Sequence, residues 1–296
     1  MKKIVIFSQN RDFFGAQIVH IPLIKELKNK YPNSHISIFS KNKITYLLKS
    51  LALVDEVIIE ENKLITFYKY LKINPSITIN LRKNSSFINF FISFFNFKTK
   101  IGFETFLSKK FFTVTKKHDS TIYRAQNYLN LINGHLKPKT IITEKEIAII
   151  PGAGGDFKIW SLKNYIELAT QIKKKYPQYE LSFILGEKEK AFKKELLKHN
   201  FTIHYNLEIN KLFKVIESSK ITIANDCGPS HIAQISNNHY IILYSDEFED
   251  ATTITKEWYN NKEGSYALIS SPKQHINSLL VTNVFEKVEI ILDNHE

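Results

Sequence analysis

The chain has one cysteine, Cys227, in 296 residues. A single thiol excludes an intramolecular disulfide and any zinc site built from several cysteines. Unbroken apolar runs of the roughly eighteen residues that a membrane-crossing helix needs are also absent. The opening residues Met1-Lys2-Lys3-Ile4-Val5-Ile6-Phe7 combine two lysines with a short apolar stretch, but polar residues over 8–12 interrupt it before a signal-peptide core could form. They read as a first β-strand, and a cytoplasmic protein is expected. Acidic residues are in deficit, 29 against 41 Lys and Arg, for a formal charge of +12. That balance suits an anionic membrane face, a phosphorylated or acidic sugar, or nucleic acid. The lysines are scattered, with Lys28 and Lys30, Lys98 and Lys100, and Lys109 and Lys110 as examples. No nucleic-acid module accompanies them, so nucleic acid is not expected as a partner. The plainer reading of each cluster is a solubilising surface.

What the chain does have is alternation. Apolar runs suited to strands fall at 4–7, 36–39, 57–59 and 77–80, and again at 147–150, 181–185, 221–224 and 240–244. Helical patterns such as 19–30 and 64–71 lie between them. Repeated βα units imply parallel sheets wound on both faces, and their recurrence implies two such domains, 1–143 and 144–296, parted where Gly134, Pro138 and a charged stretch interrupt the pattern. Val284, Phe285, Val288, Ile291 and Leu292 recur at helical spacing near the end of the sequence. Residues 87–97 read FINFFISFFNF, which is too short to span a bilayer. Phe87, Phe90, Phe91, Phe94 and Phe95 would share one helical face, so a core helix of the first domain is expected. The other reading is an interfacial helix resting on lipid beside Lys98 and Lys100.

Two loops carry the chemistry. After the run at 221–224 comes Asn225-Asp226-Cys227-Gly228-Pro229-Ser230-His231, which reads as strand, tight turn and helix N-terminus. Pro229 suits the first helical position and Gly228 lets backbone approach a ligand. The first amides of the helix would then meet a phosphate, with Asp226 accepting from a sugar or base and His231 donating to phosphate. The plain alternative is an ordinary βα turn with a satisfied Asp and a core His. After the run at 147–150 comes Pro151-Gly152-Ala153-Gly154-Gly155-Asp156-Phe157-Lys158-Ile159-Trp160. It lacks the Gly-Lys-Ser/Thr ending of a P-loop and the third glycine of a dinucleotide fingerprint. A glycine-rich turn with one lysine remains, which suits a diphosphate held by backbone amides and a point charge.

Pro-Gly-Ala at 151–153, Lys-x-Trp at 158–160 and Asp-x-Gly-Pro-x-His at 226–231, in that order, resemble the pattern of glycosyltransferase family 9, the heptosyltransferases of the bacterial lipopolysaccharide inner core and their relatives. Weaker echoes at Gly15, Pro22, Tyr31-Pro32, Ile101-Gly102-Phe103 and Tyr123-Arg124 extend the resemblance over most of the chain. It implies the GT-B fold: two Rossmann-like doubly wound α/β domains facing a cleft, the first on the acceptor side, the second holding a nucleotide sugar, and a terminal helix able to pack back on the first. It also implies inverting transfer of a heptose-like sugar from a nucleotide diphosphate, ADP being favoured, to an anionic glycolipid. Peripheral contact with the anionic inner face of the membrane would go with such an acceptor. Gly152, Ala153, Gly154, Gly155, Lys158, Asp226, Cys227, Gly228 and His231 are the expected donor site, with Glu187 or Glu189 as a further sugar contact. No Asp-x-Asp motif occurs, so neither a metal nor another cofactor is expected, and positive protein groups would stabilise the leaving diphosphate.

The chain departs from the family at the base. Relatives place an aspartate after the glycine of the first βα loop; here Gly15 is followed by Ala16. Asp12 is the expected substitute, with His20 behind it. Ser161 stands where relatives carry proline, an equally good helix cap, and Cys227 where they often carry threonine. Arg82, Lys83 and Arg124 are the expected acceptor-side cations. A nucleotide-sugar-binding protein without transfer, or a sugar-nucleotide epimerase or hydrolase on a similar frame, are the alternatives.

Overall fold

The computed structural model describes residues 1–83, 86–94, 99–136, 145–236 and 238–294. The chain divides into two compact units, Met1–Leu136 and Lys137–Glu296. The boundary expected after residue 143 falls within 137–144, outside the described residues. Among those described, the first unit carries β1 (Lys3–Phe7), β2 (His35–Ser40), β3 (Glu56–Ile59), β4 (Ile77–Asn80), β5 (Thr99–Phe103) and β6 (Val114–Lys116). They form one parallel sheet in the order β3-β2-β1-β4-β5-β6. The second unit carries β7 (Glu146–Ile150), β8 (Glu180–Leu185), β9 (Thr202–Tyr205), β10 (Ile221–Asn225), β11 (His239–Tyr244) and β12 (Tyr266–Ile269). Its sheet is parallel too, in the order β12-β11-β10-β7-β8-β9. Counted within its own unit, each sheet has the doubly wound order 3-2-1-4-5-6. This is the two-domain α/β fold expected from the alternation.

The strand sequences explain the parallel arrangement. Central strands of such sheets are covered on both faces and so read as continuous apolar runs rather than as an alternation. β10 and the last four residues of β1 and β7 are buried throughout. In the second unit Ile147, Ile149, Ile221, Ile223, Ile241 and Leu243 share a core with the helices Leu162–Lys175 and Val281–Asp293. The intervening residues point to the other face, where the helices Ile209–Ser218 and Gly228–Ser236 pack together. The terminal helix, which the resemblance would carry back toward the first domain, buries Val284, Val288, Ile291 and Leu292 in the second unit's own core. Lys175 with Glu289 (2.6 Å) and Tyr176 with Asp293 (2.7 Å) bind it at its polar margin.

The aromatic segment of the first unit corrects the sequence reading. The helix Ser86–Ser93 inserts Ile88, Phe91 and Ile92 into the core beside Phe7, Phe39 and Tyr70. Phe90 and Phe94 are largely exposed, and Phe87 lies at the surface. The helix is apolar nearly all round, so its isoleucines take the buried stripe that the phenylalanines were expected to fill. Phe95, Asn96 and Phe97 lie outside the described residues.

Candidate functional site

In a doubly wound sheet, ligands bind beyond the carboxyl ends of the strands, where the strand order reverses. In the second unit that reversal lies between β7 and β10. These are the two strands whose following loops hold residues 151–158 and 226–231. Asn225, the last residue of β10 and fully buried, ties them together. Its Nδ2 donates to the Pro151 carbonyl at 2.8 Å. Its Oδ1 accepts from the Trp160 backbone N–H at 3.2 Å and from the Tyr165 hydroxyl at 2.9 Å. One amide thus fixes the entry and the exit of the glycine-rich loop against the end of the neighbouring strand. Ser161 then caps the helix Leu162–Lys175 by accepting from the Asn164 N–H at 3.2 Å. The buried Trp160 indole donates to the Leu279 carbonyl at 3.0 Å, so the loop is also anchored behind.

The anchored loop delivers Lys158 to the end of β10. Lys158 Nζ lies 2.9 Å from Asp226 Oδ2 and 2.8 Å from Glu249 Oε2. Burial alone would lower the lysine's pKa; the Asp226 and Glu249 carboxylates outweigh it and raise the value above the ordinary one. The ammonium therefore stays charged at every physiological pH. Glu249 lies in the segment following β11 and was not foreseen from the sequence. It arrives together with Phe248, whose ring meets Phe157 edge-on at 5.4 Å.

A third loop completes the set. After β8, Glu189 turns its carboxylate back to accept from the Gly186 N–H at 3.0 Å. A Cβ at Gly152 would sit 2.6 Å from that carboxyl carbon, so glycine at 152 is what admits Glu189 beside the loop after β7. At Gly154 a Cβ would meet nothing within 4 Å, so this edge of the loop is open. Of the two expected glutamates, Glu189 is buried beside the loop, whereas Glu187 is exposed and accepts from the Tyr205 hydroxyl. Four adjacent strands, β11, β10, β7 and β8, thus bring Glu249, Asp226, Lys158 and Glu189 to one edge.

The helix Gly228–Ser236 begins at this edge. Ser230 Oγ donates to the Cys227 carbonyl at 2.7 Å, closing the turn. Burial pushes the Cys227 thiol up to about 12, so it stays protonated and is no nucleophile. His231 is buried in the first turn, its Nδ1 3.1 Å from Gln234 Nε2 and its ring 5.5 Å from that of Trp258. With the Gln234 amide as donor, Nδ1 is the accepting nitrogen of the ring. Gln234 in turn accepts from the Asn260 N–H at 2.8 Å. Among the described residues, no group of three His, Cys, Asp or Glu is placed to hold a metal ion.

The first unit has its reversal between β1 and β4. Asp12 is exposed in the segment after β1. Ala16 is buried in the short helix Phe14–Ile18. His20 is fully buried, stacked on Tyr128 at 5.3 Å, with Nδ1 3.3 Å from the Gln17 carbonyl and no partner at Nε2. Burial lowers its pKa to about 4, which makes it a weak base shut away from solvent. Arg82, following β4, is buried as well: its guanidinium forms a bidentate pair with Glu60, and Nε donates to the Ser8 carbonyl at 2.7 Å. Lys83 is half-buried beside it. Arg124 is buried and donates to Gln9 Oε1. Both arginines thus brace the segment after β1 rather than stand open on a rim.

The family model of glycosyltransferase family 9 (heptosyltransferase) matches residues 70–281. No curated protein matches the sequence. Among solved structures, the glycosyltransferase family 9 protein of Veillonella parvula DSM 2008 is 17% identical, with a TM-score of 0.68 over 99% of this chain and 98% of that one. E. coli ADP-heptose LPS heptosyltransferase II is 17% identical, with a TM-score of 0.63 over 99% of both chains. E. coli heptosyltransferase WaaC with ADP is 10% identical, with a TM-score of 0.66 over 98% and 99% of the two chains.

Proposed function

The chain belongs to glycosyltransferase family 9, the heptosyltransferases, with their two-domain GT-B fold, and from that premise we propose that it moves a heptose-like sugar from an ADP-sugar to an anionic glycolipid of lipopolysaccharide type, with inversion at the anomeric carbon. The observation that carries this reading is the convergence of the loops after β7 and β10 through Asn225, with Lys158 held 2.9 Å from Asp226. A solved relative bound to ADP supports the choice of nucleotide.

In the proposed reaction the donor's diphosphate lies along the edge of the second unit's sheet. The first amides of the helix at Gly228, the loop amides at Gly154 and Gly155, Lys158 and His231 take up the charge that develops as the sugar–phosphate bond breaks. The sequence has no Asp-x-Asp pair to hold a metal ion, and in this reading these protein groups supply the positive charge that such an ion would. Asp226 and Glu189 contact the ribose or the donor sugar. The acceptor hydroxyl attacks the anomeric carbon from the opposite side, and its proton passes to Asp12, whose exposure leaves it accessible to an acceptor. His20, being buried, supports the fold of that segment and takes no proton. Of the three expected acceptor-side cations we assign Arg82 and Arg124 to bracing the edge, and Lys83 to the acceptor.

Mass spectrometry of nucleotide release from ADP-, UDP- and GDP-sugars, with and without a lipooligosaccharide extract, tests the reading. ADP release that depends on the extract is expected. Equal release without it would make the protein a hydrolase, and retention of intact donor without release would make it a binding protein.

A further inference from the structure

A diphosphate seated at Lys158 has a nucleoside on one side and a sugar on the other, and the residues flanking the lysine tell the two sides apart. In dinucleotide-binding domains of this winding, the acid that follows the strand next after the glycine loop takes the ribose hydroxyls. In the second unit that strand is β8, and Glu189 follows it. A nucleoside on the β8 side leaves the sugar, bonded to the far phosphate, on the β11 side of Lys158.

What stands there is an aromatic pair beside a carboxylate. Phe157 precedes Lys158 in the short helical turn Asp156–Lys158. Its ring lies against the glycine loop: a Cβ at Gly155 would sit 3.0 Å from Phe157 Cε1, and Lys158 Nζ is 5.4 Å from the ring centre. Phe248 meets that ring edge-on at 5.4 Å while remaining 72% exposed. A lone exposed phenylalanine would be ordinary scatter; this one adjoins Glu249, the residue that reaches Lys158 at 2.8 Å. The segment carrying both is anchored at each end. Asp246 accepts from the Ala251 N–H at 2.9 Å and the Lys273 N–H at 3.1 Å. Asp250 caps the helix Ala251–Trp258 by accepting from the Thr253 N–H at 3.2 Å. In a chain of +12, residues 245–250 hold four acids and no Lys or Arg.

We infer that Phe157, Phe248 and Glu249 form the subsite for the donor's sugar and select a sugar without an acid group. The C–H face of a sugar ring carries partial positive charge, which settles on the negative face of an aromatic ring. A phosphate that takes up the Lys158 ammonium releases the Glu249 carboxylate, which then accepts from hydroxyls of the sugar bonded to that phosphate. A carboxylate or a further phosphate on the sugar would meet like charge at the same place. This subsite rests on the nucleotide-sugar reading of the donor, to which it adds the residues that face the sugar and the class of sugar they admit.

Calorimetric titration of the full chain with ADP, ADP-heptose and ADP-glucuronate tests it. Wild type is expected to bind ADP-heptose about fivefold or more tighter than ADP-glucuronate. Phe248→Ser, altered at an exposed side chain, should weaken ADP-heptose by about three- to tenfold while ADP stays within about twofold of wild type. Phe248→Tyr, which keeps the ring, should behave as wild type. Glu249→Gln should narrow the gap between the two ADP-sugars, and it should favour ADP-heptose less than it favours ADP. Phe248→Ser weakening ADP and ADP-heptose alike, or neither, would overturn the assignment. So would a wild type that binds the two ADP-sugars equally. A wild type that binds neither ADP nor an ADP-sugar would remove the transfer reading and the subsite together. ADP-heptose affinity insensitive to Phe248, in a wild type that still releases ADP to a lipooligosaccharide extract, would remove the subsite alone.

Discussion

Replacing Asn225 by alanine removes three hydrogen bonds at once from a fully buried position. The Pro151 carbonyl, the Trp160 N–H and the Tyr165 hydroxyl would each lose a partner, and a buried polar group left unpaired costs about 1–3 kcal/mol. Some of these groups will find water through the small cavity left by the truncation, so the sum is taken near the lower limit, about 4 kcal/mol. Against a typical domain stability of about 5–15 kcal/mol this is a large fraction. The chain's two tryptophans, Trp160 and Trp258, both lie in the second unit, so tryptophan fluorescence in a urea titration follows that unit alone. Asn225→Ala is expected to lower the urea midpoint of this transition by the corresponding amount and to weaken nucleoside diphosphate binding, since the two loops are no longer held in register. Asn225→Asp keeps both acceptor roles but cannot donate to Pro151, and it buries a charge, so it should rescue little. A midpoint for Asn225→Ala within about 1 kcal/mol of wild type would refute the assignment of Asn225 as the tie between the loops.

Two further outcomes are expected. His20 has a folded pKa lowered to about 4 from an ordinary 6.5, so below pH 6.5 the unfolded chain takes up a proton that the folded chain refuses. The first unit should therefore lose about 3 kcal/mol as pH falls toward 4; His20→Gln should abolish that loss, as measured by hydrogen exchange over the helices Phe14–Ile18 and Ile21–Lys30. Glu249 shares Lys158 with Asp226, so Glu249→Gln should free the ammonium for a phosphate and tighten nucleoside diphosphate binding by about two- to fivefold in calorimetry. Weaker binding would mean that Glu249 positions the lysine rather than competes for it.

The eight runs read from the sequence are all strands; seven are interior, where burial on both faces leaves continuous apolar runs, and the eighth, β3, lies at a sheet edge but keeps an apolar run at 57–59. The four strands that escaped, β5, β6, β9 and β12, are of another kind. β6, β9 and β12 are edge strands, mostly half-buried; half-burial admits Lys116 in β6 and Thr202 and His204 in β9, while β12, Tyr266–Ile269, is apolar but only four residues long. β5 is interior, but Lys100 and Gly102 break its apolar run. At the site, Gly152, Lys158 and Asp226 announced themselves through glycine spacing and charge beside strand ends. Asn225 did not, because a single amide at the end of a strand has no local signature of the loop it ties 74 residues away. Glu249 was invisible for the same reason, its partner lying on a loop that only the sheet order brings near. The exposed phenylalanines were misjudged because helical periodicity finds an apolar face without saying which of two apolar faces is buried.

Calorimetric titration of ADP into wild type and Lys158→Ala asks most directly whether the loops after β7 and β10 form one seat for a diphosphate. Saturable binding by wild type is expected, weakened about tenfold to a hundredfold by the substitution, the cost of one charge-assisted contact to phosphate. An unchanged affinity, or no binding by a correctly folded wild type, would contradict the account.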